Sequence, residues 1–94
     1  MEIQFTTRTF KEGRSFVAHA IELDVSSCGG TKERALKNLK QAVRLFLEEA
    51  EKMGTLRQIL EESGYNRKGE RVRGREFISV QRVTLPVSLA HAKV

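Results

Sequence analysis

An apolar stripe of helical spacing between residues 35 and 53 constrains this 94-residue chain more than any other feature. Ala35, Leu36, Leu39, Ala42, Val43, Phe46, Leu47, Ala50 and Met53 recur at three- and four-residue steps. At 3.6 residues per turn, those steps fall on one helical face sustained for about five turns. A long helix with one apolar face must lie on something, so the rest of the chain has to supply a surface for it. Thr31 stands where a side-chain oxygen caps the first turn, and Gly54 stands where the chain can leave the helix. Arg34 occupies the third helical position, so the full capping box is absent there. Thr55 with Gln58 does have the capping-box pattern. It predicts a second, shorter helix through Leu56, Ile59 and Leu60, ending at Gly64.

The surface precedes the helix. Ile3, Phe5, Thr7 and Thr9 alternate with Gln4, Thr6 and Arg8, the period of a half-buried strand. Lys11 to Arg14 is the turn, and residues 15–21 are the returning strand. Phe16, Ala18 and Ala20 face one way, and Val17, His19 and Ile21 face the other. Both sides are largely apolar, which predicts cover on both faces. A short third strand is expected around Val25 to Cys28, ending at Gly29-Gly30. The stretch Asn66–Glu76 has no apolar periodicity and is read as a loop. Phe77–Leu85 is β-prone and is read as a final strand reaching about residue 87, with Pro86 suited to its end. A hairpin first and helices later predict an α+β fold: an antiparallel three- or four-stranded sheet with one long and one short helix on one face. One helix pair covers one face, so the other face or an open edge meets water or another chain. The length allows one domain over 1–94: hairpin and helices to 65, a basic loop over 66–76, a final strand over 77–87.

Charge is distributed unevenly. Residues 1–30 carry three Lys/Arg against four Asp/Glu, residues 31–65 seven against six, and residues 66–94 seven against two. The last third therefore holds a net +5, the same value as the whole chain. A localised excess points to an acidic or anionic partner. The start lacks a basic and then apolar run, so no signal peptide is read, and no stretch is apolar enough to span a bilayer. The single cysteine, Cys28, rules out an intramolecular disulfide and fits a reducing cytoplasm.

Candidate chemistry is sparse. Cys28 lies before a helix start, where the dipole favours a thiolate, but its only histidine companions are His19 and His91. A small residue filling a turn explains it better. Gly29-Gly30-Thr31 lacks the lysine spacing of a phosphate loop. His19 has no partner at metal-ligand spacing, and a packed or interface histidine is the simpler reading. Glu22 and Asp24 point the same way in an extended chain, which predicts an acidic, partner-facing patch rather than a metal site. Arg67, Lys68, Arg71, Arg73 and Arg75 lie within nine residues and suit phosphate contact. No aromatic is interleaved among them for base stacking, so a solvated loop competes with that reading.

The run Phe16-Val17-Ala18-His19-Ala20-Ile21-Glu22-Leu23-Asp24, followed by Thr31-Lys32-Glu33-Arg34-Ala35-Leu36-Lys37-Asn38-Leu39, resembles the HicB-type antitoxin domain of bacteria and archaea. That family shows a hairpin, an aromatic–Val–Ala segment, a Glu-Leu pair, a Gly-Thr turn and a Glu-x-Ala-Leu-x-x-Leu helix. Leu60-Glu61-Glu62-Ser63-Gly64-Tyr65 matches a further recurrent piece. The resemblance covers roughly residues 1–65 and, more loosely, the final strand. Ile21 stands where the family commonly has proline, and Gly29-Gly30 where it has Gly-Asp. Val80–Pro86 resembles the strand that opens a ribbon-helix-helix, but its helices are absent, so a short form without a C-terminal DNA-binding module is expected.

The resemblance implies a partial ribonuclease-H-like fold and a non-catalytic role. A true ribonuclease H gathers several carboxylates around two metals, whereas the first strand here offers Gln4, Thr6 and Thr7 at its centre. The expectation is an antitoxin-like protein that binds a small HicA-like ribonuclease toxin through Glu22, Asp24 and His19. It forms homodimers or tetramers through sheet edges or the apolar outer face, and uses no cofactor. The alternatives are a nucleic-acid-binding or regulatory protein that uses the five bases at 67–75, with DNA as a candidate partner, or a solitary family member with another partner. An enzyme built on Cys28 or His19 has no supporting constellation.

Overall fold

The computed structural model of the chain describes residues 2–68, 71–73, 76–88 and 90; residues 66–68 and 71–73 are described by their backbone alone. The N-terminal segment, expected as one strand, divides into β1 (Glu2–Ile3) and β2 (Thr7–Glu12). The cause is local competition for backbone groups. The Gln4 carbonyl accepts from the Tyr65 hydroxyl at 2.8 Å, and the Thr6 N–H donates to the Glu22 carboxylate at 2.7 Å. β2 then pairs antiparallel with β3 (Ser15–Ala20) across a two-residue turn, Gly13-Arg14, with Glu12 opposite Ser15 and Arg8 opposite His19. The expected third strand is present as β4 (Val25–Gly29), antiparallel to β3, giving the order β2-β3-β4.

α1 (Lys32–Met53) begins as the sequence predicts, with the Thr31 hydroxyl oxygen accepting the Arg34 N–H at 3.1 Å. It ends in a Schellman motif. Gly54 takes φ 76, its N–H donates to Glu51, and the Thr55 N–H donates to Ala50. α1 lays Ala35, Leu39 and Val43 on the Phe16, Ala18 and Ala20 side of the sheet. The covered face is narrower than the apolar stripe, since Phe46 and Met53 stay exposed. α2 (Leu56–Glu62) follows, but its expected capping box does not form. The Thr55 hydroxyl turns back toward the Ala50 carbonyl at the end of α1, and the Gln58 amide donates forward to Glu62. A second Schellman ending, with Gly64 at φ 82 and the Tyr65 N–H on Leu60, delivers Tyr65 into the core.

Two expectations fail beyond this point. The 66–76 stretch is not wholly loop: it contains β5 (Asn66–Lys68) and β6 (Arg71–Arg73), paired antiparallel, with β6 parallel to β1. Ladder bonds are made by the backbone, so a charged strand leaves no trace in apolar periodicity. The final strand is absent: residues 76–88 have no regular structure and all are exposed. β-propensity measures fit to a neighbouring strand, and the described residues offer that segment none. The architecture is therefore α+β: the antiparallel three-stranded sheet β2-β3-β4 lies under the long helix, the short helix follows it, and β1-β6-β5 form a second three-stranded sheet. Among the described residues, no helix is long and apolar enough to cross a membrane.

Gly29 and Gly30 look equivalent in sequence but differ in space. A Cβ on Gly29 would lie 2.8 Å from the Ala35 amide nitrogen and 2.9 Å from the Arg34 Cβ, whereas one on Gly30 meets nothing. Gly29→Ala should cost about 1–3 kcal/mol in urea unfolding, while Gly30→Ala should be neutral or gain up to ~1 kcal/mol. Equal midpoints for the two variants would contradict this packing.

Candidate functional site

The face of the sheet turned away from α1 carries the expected residues. Cross-strand register places Arg8, His19 and Ser26 in one row and Phe10, Val17 and Cys28 in the next. His19 is buried, and both of its ring nitrogens are engaged. Arg8 Nε lies 3.1 Å from Nδ1, and Asp24 Oδ1 lies 2.7 Å from Nε2. A guanidinium nitrogen can only donate, so Nδ1 is the acceptor and the ring hydrogen sits on Nε2, donated to Asp24. The assignment follows from the hydrogen-bond network. The result is a relay, Arg8 to His19 to Asp24, that fixes a carboxylate whose side chain is 92% exposed. Asp24 holds φ 54, a left-handed conformation that aspartate and asparagine tolerate better than most residues.

Glu22 and Asp24 do not form the paired patch expected from extended geometry. Residues 21–24 are a turn, and the two carboxylates serve different partners. Glu22 is half-buried and accepts from both the Thr6 N–H, at 2.7 Å, and the Thr6 hydroxyl, at 2.8 Å. Burial, together with the negative charge of Glu22, raises the Tyr65 hydroxyl above its ordinary value and holds it neutral. Thr6, Glu22 and Tyr65 thus close the edge of the core, while Asp24 alone of the predicted acids faces outward. Cys28 is exposed on β4, and its carbonyl accepts from the Asn38 amide of α1 at 2.8 Å.

The bases are arranged by the small hairpin. Lys68 lies opposite Arg71, Arg67 opposite Val72 and Asn66 opposite Arg73. Arg75 lies outside the described residues. Among the described residues, no three His, Cys, Asp or Glu gather to hold a metal, and no buried polar side-chain atom lacks a partner.

Arg8, Thr6 and Tyr65 are the residues that reading the sequence missed. Arg8 was accessible: a two-residue turn at 13–14 forces position 8 opposite position 19. Tyr65 bonds across 61 residues of sequence, a contact that no local pattern encodes. No family model matches the chain, and neither does any curated protein or solved structure.

Two measurements check this geometry. Long-range nitrogen–proton NMR of His19 should show the Nε2–H tautomer; a proton on Nδ1 would remove the Arg8 bond. The raised Tyr65 group also makes stability depend on pH. The folded state retains this proton at pH values where the unfolded chain loses it. The contribution is therefore complete below the unfolded value of about 10 and declines as pH rises above it. Tyr65→Phe should lower stability by about 1 kcal/mol at neutral pH and flatten the decline above pH ~10. A decline identical in both proteins would assign it to other groups.

Proposed function

We propose that this chain is a cytoplasmic, non-catalytic binding protein that masks a small basic ribonuclease resembling the HicA toxin. The order of motifs over residues 16–39 and 60–65 supports the reading. So does the α+β architecture, in which α1 covers one face of the sheet and leaves the other outward. The observation that carries it is Asp24: an exposed carboxylate already oriented by a buried histidine. A carboxylate held in this way loses little side-chain entropy when it meets a cationic surface, and it can stand in for an RNA phosphate. In this reading His19 positions the acid, and Glu22 supports the turn that carries it.

The hairpin favours a second reading. The register sets Lys68 opposite Arg71 and brings Arg67 and Arg73 onto the same two-stranded hairpin, and a ribbon so rich in basic residues suits phosphate contact with duplex DNA. Binding to duplex DNA at two salt concentrations separates the two readings, because phosphate contact must weaken steeply with salt.

The first reading predicts a short adjacent reading frame encoding a basic protein, and that protein is the probe. Asp24→Asn tolerates the same backbone and removes the charge. It should weaken that complex at least about tenfold with an unchanged circular dichroism melt. Unaltered affinity would remove the acid from the interface and end the reading built on it.

A further inference from the structure

His19 is buried on the face of the sheet turned away from α1, between neighbours of opposite charge. From β2, Arg8 stands directly opposite it and donates to Nδ1 at 3.1 Å. From the 21–24 turn, Asp24 accepts from Nε2 at 2.7 Å. From β4, the residue opposite is Ser26, which carries no charge. The next row holds Phe10, Val17 and Cys28, and Glu12 lies a further row away, opposite Ser15. Glu22, the other acid of the turn, is committed to Thr6. α1 packs on the opposite face and brings Ala35, Leu39 and Val43 there. Each ring nitrogen thus meets one charged group, a cation at Nδ1 and an anion at Nε2.

This placement makes the charge of the ring decisive. A neutral imidazole has one donor and one acceptor, and Asp24 and Arg8 use both. A histidine ordinarily takes up a second proton between roughly pH 8 and pH 5. Here a proton from bulk water has only Nδ1 to join, where the Arg8 N–H already points. A guanidinium has no acceptor and does not lose its own proton, so two N–H groups on two cations would meet head-on. The bond to Asp24, by contrast, becomes charge-assisted. Arg8 has room to leave, because it is exposed and β2 is an edge strand of its sheet.

We propose that the Arg8–His19–Asp24 relay is a proton-operated switch: uptake of one proton at Nδ1 expels the Arg8 side chain and holds Asp24 in an ion pair with the imidazolium. The face changes character between the two states. With a neutral ring, Asp24 stands out as a fixed acid and Arg8 is tied to the sheet. With a protonated ring, the acid is neutralised by contact and a guanidinium is freed beside it. The first state suits a basic surface and the second repels it. The effect on a partner rests on the Asp24 reading, in which acidification loosens the complex; the change in the free chain does not.

The test begins with the free full chain carrying His91→Gln, which leaves His19 as its one histidine. NMR follows the His19 ring from about pH 8 to about pH 5, together with nuclear Overhauser contacts between the Arg8 δ-methylene and the ring. Those contacts should vanish as the ring takes up its proton, while Nε2 keeps its bond to Asp24. Contacts that persist on the protonated ring would overturn the proposal, as would a ring still neutral at about pH 5. The second arm measures affinity for the basic protein of the first reading. It should fall at least about threefold between about pH 7.5 and about pH 5.5. His19→Gln supplies one donor and one acceptor without titrating, so its complex should lose this fall. An equal fall in both proteins would overturn the gating. The free-chain arm leaves positions 8, 19 and 24 unchanged, so it decides the switch even where His19→Gln does not fold. A partner indifferent to Asp24→Asn ends the Asp24 reading and leaves the free-chain result standing; persistent Arg8 contacts end the switch and leave Asp24 as the recognised acid.

Discussion

The structure depends on how closely α1 approaches β3 and β4. Ala18, Ala20 and Ala35 are fully buried, and Gly29 leaves the first turn of α1 no room for even a methyl group. Small residues on both surfaces bring helix and sheet together, so one large side chain, Leu39, fills the centre. The approach is economical in area but yields a small core. A chain of this length hides only about 60–65% of its unfolded surface. Closure of the edges therefore matters more than it would in a larger domain. Tyr65 and Glu22 provide it from opposite ends of the sequence, tying Gln4 and Thr6 to the body.

Elements whose partners lie nearby in sequence were legible; those that depend on distant partners were not. α1 was readable from Thr31 to Gly54 because both ends are set by residues one or two positions away. The hairpin and β4 followed from alternation and from the turn. The break between β1 and β2 was invisible, since it arises when Tyr65 and Glu22 take backbone groups from residues 4 and 6. The capping box at Thr55 misled for a related reason: the hydroxyl had a competing acceptor at the end of the preceding helix. The strand expected at 77–85 shows the limit of propensity, because a β-prone segment becomes a strand only where an edge accepts it.

The candidate site shows the same division. Glu22 and Asp24 are two residues apart, and composition cannot tell them apart. One is consumed in holding Thr6, and the other is held out to solvent by His19. What separates them is the 21–24 turn, which forces Asp24 into a left-handed backbone and turns its carboxylate toward the buried ring. A histidine with both nitrogens occupied is poorly placed to accept a proton from a third group, but well placed to fix the rotamer of an exposed acid. The relay thus presents Asp24 to solvent in one orientation.

The charge asymmetry then acquires a physical meaning. Residues 1–65 carry ten acidic and ten basic side chains, while the remainder carries the whole excess. The body is neutral, and the apolar side chains of the basic extension, Phe77 to Val87, stand exposed. An open groove runs along α1, but the described part of that extension does not occupy it. Apolar burial supplies the driving force for association, and charge sets the orientation and rate rather than the strength. The charged residues of that groove balance, Lys40 and Arg44 standing with Glu48 and Glu51 around the apolar Ile3, Phe5, Val43, Leu47 and Leu56. A core that is small because its helix packs so closely on alanines thereby leaves large apolar side chains exposed.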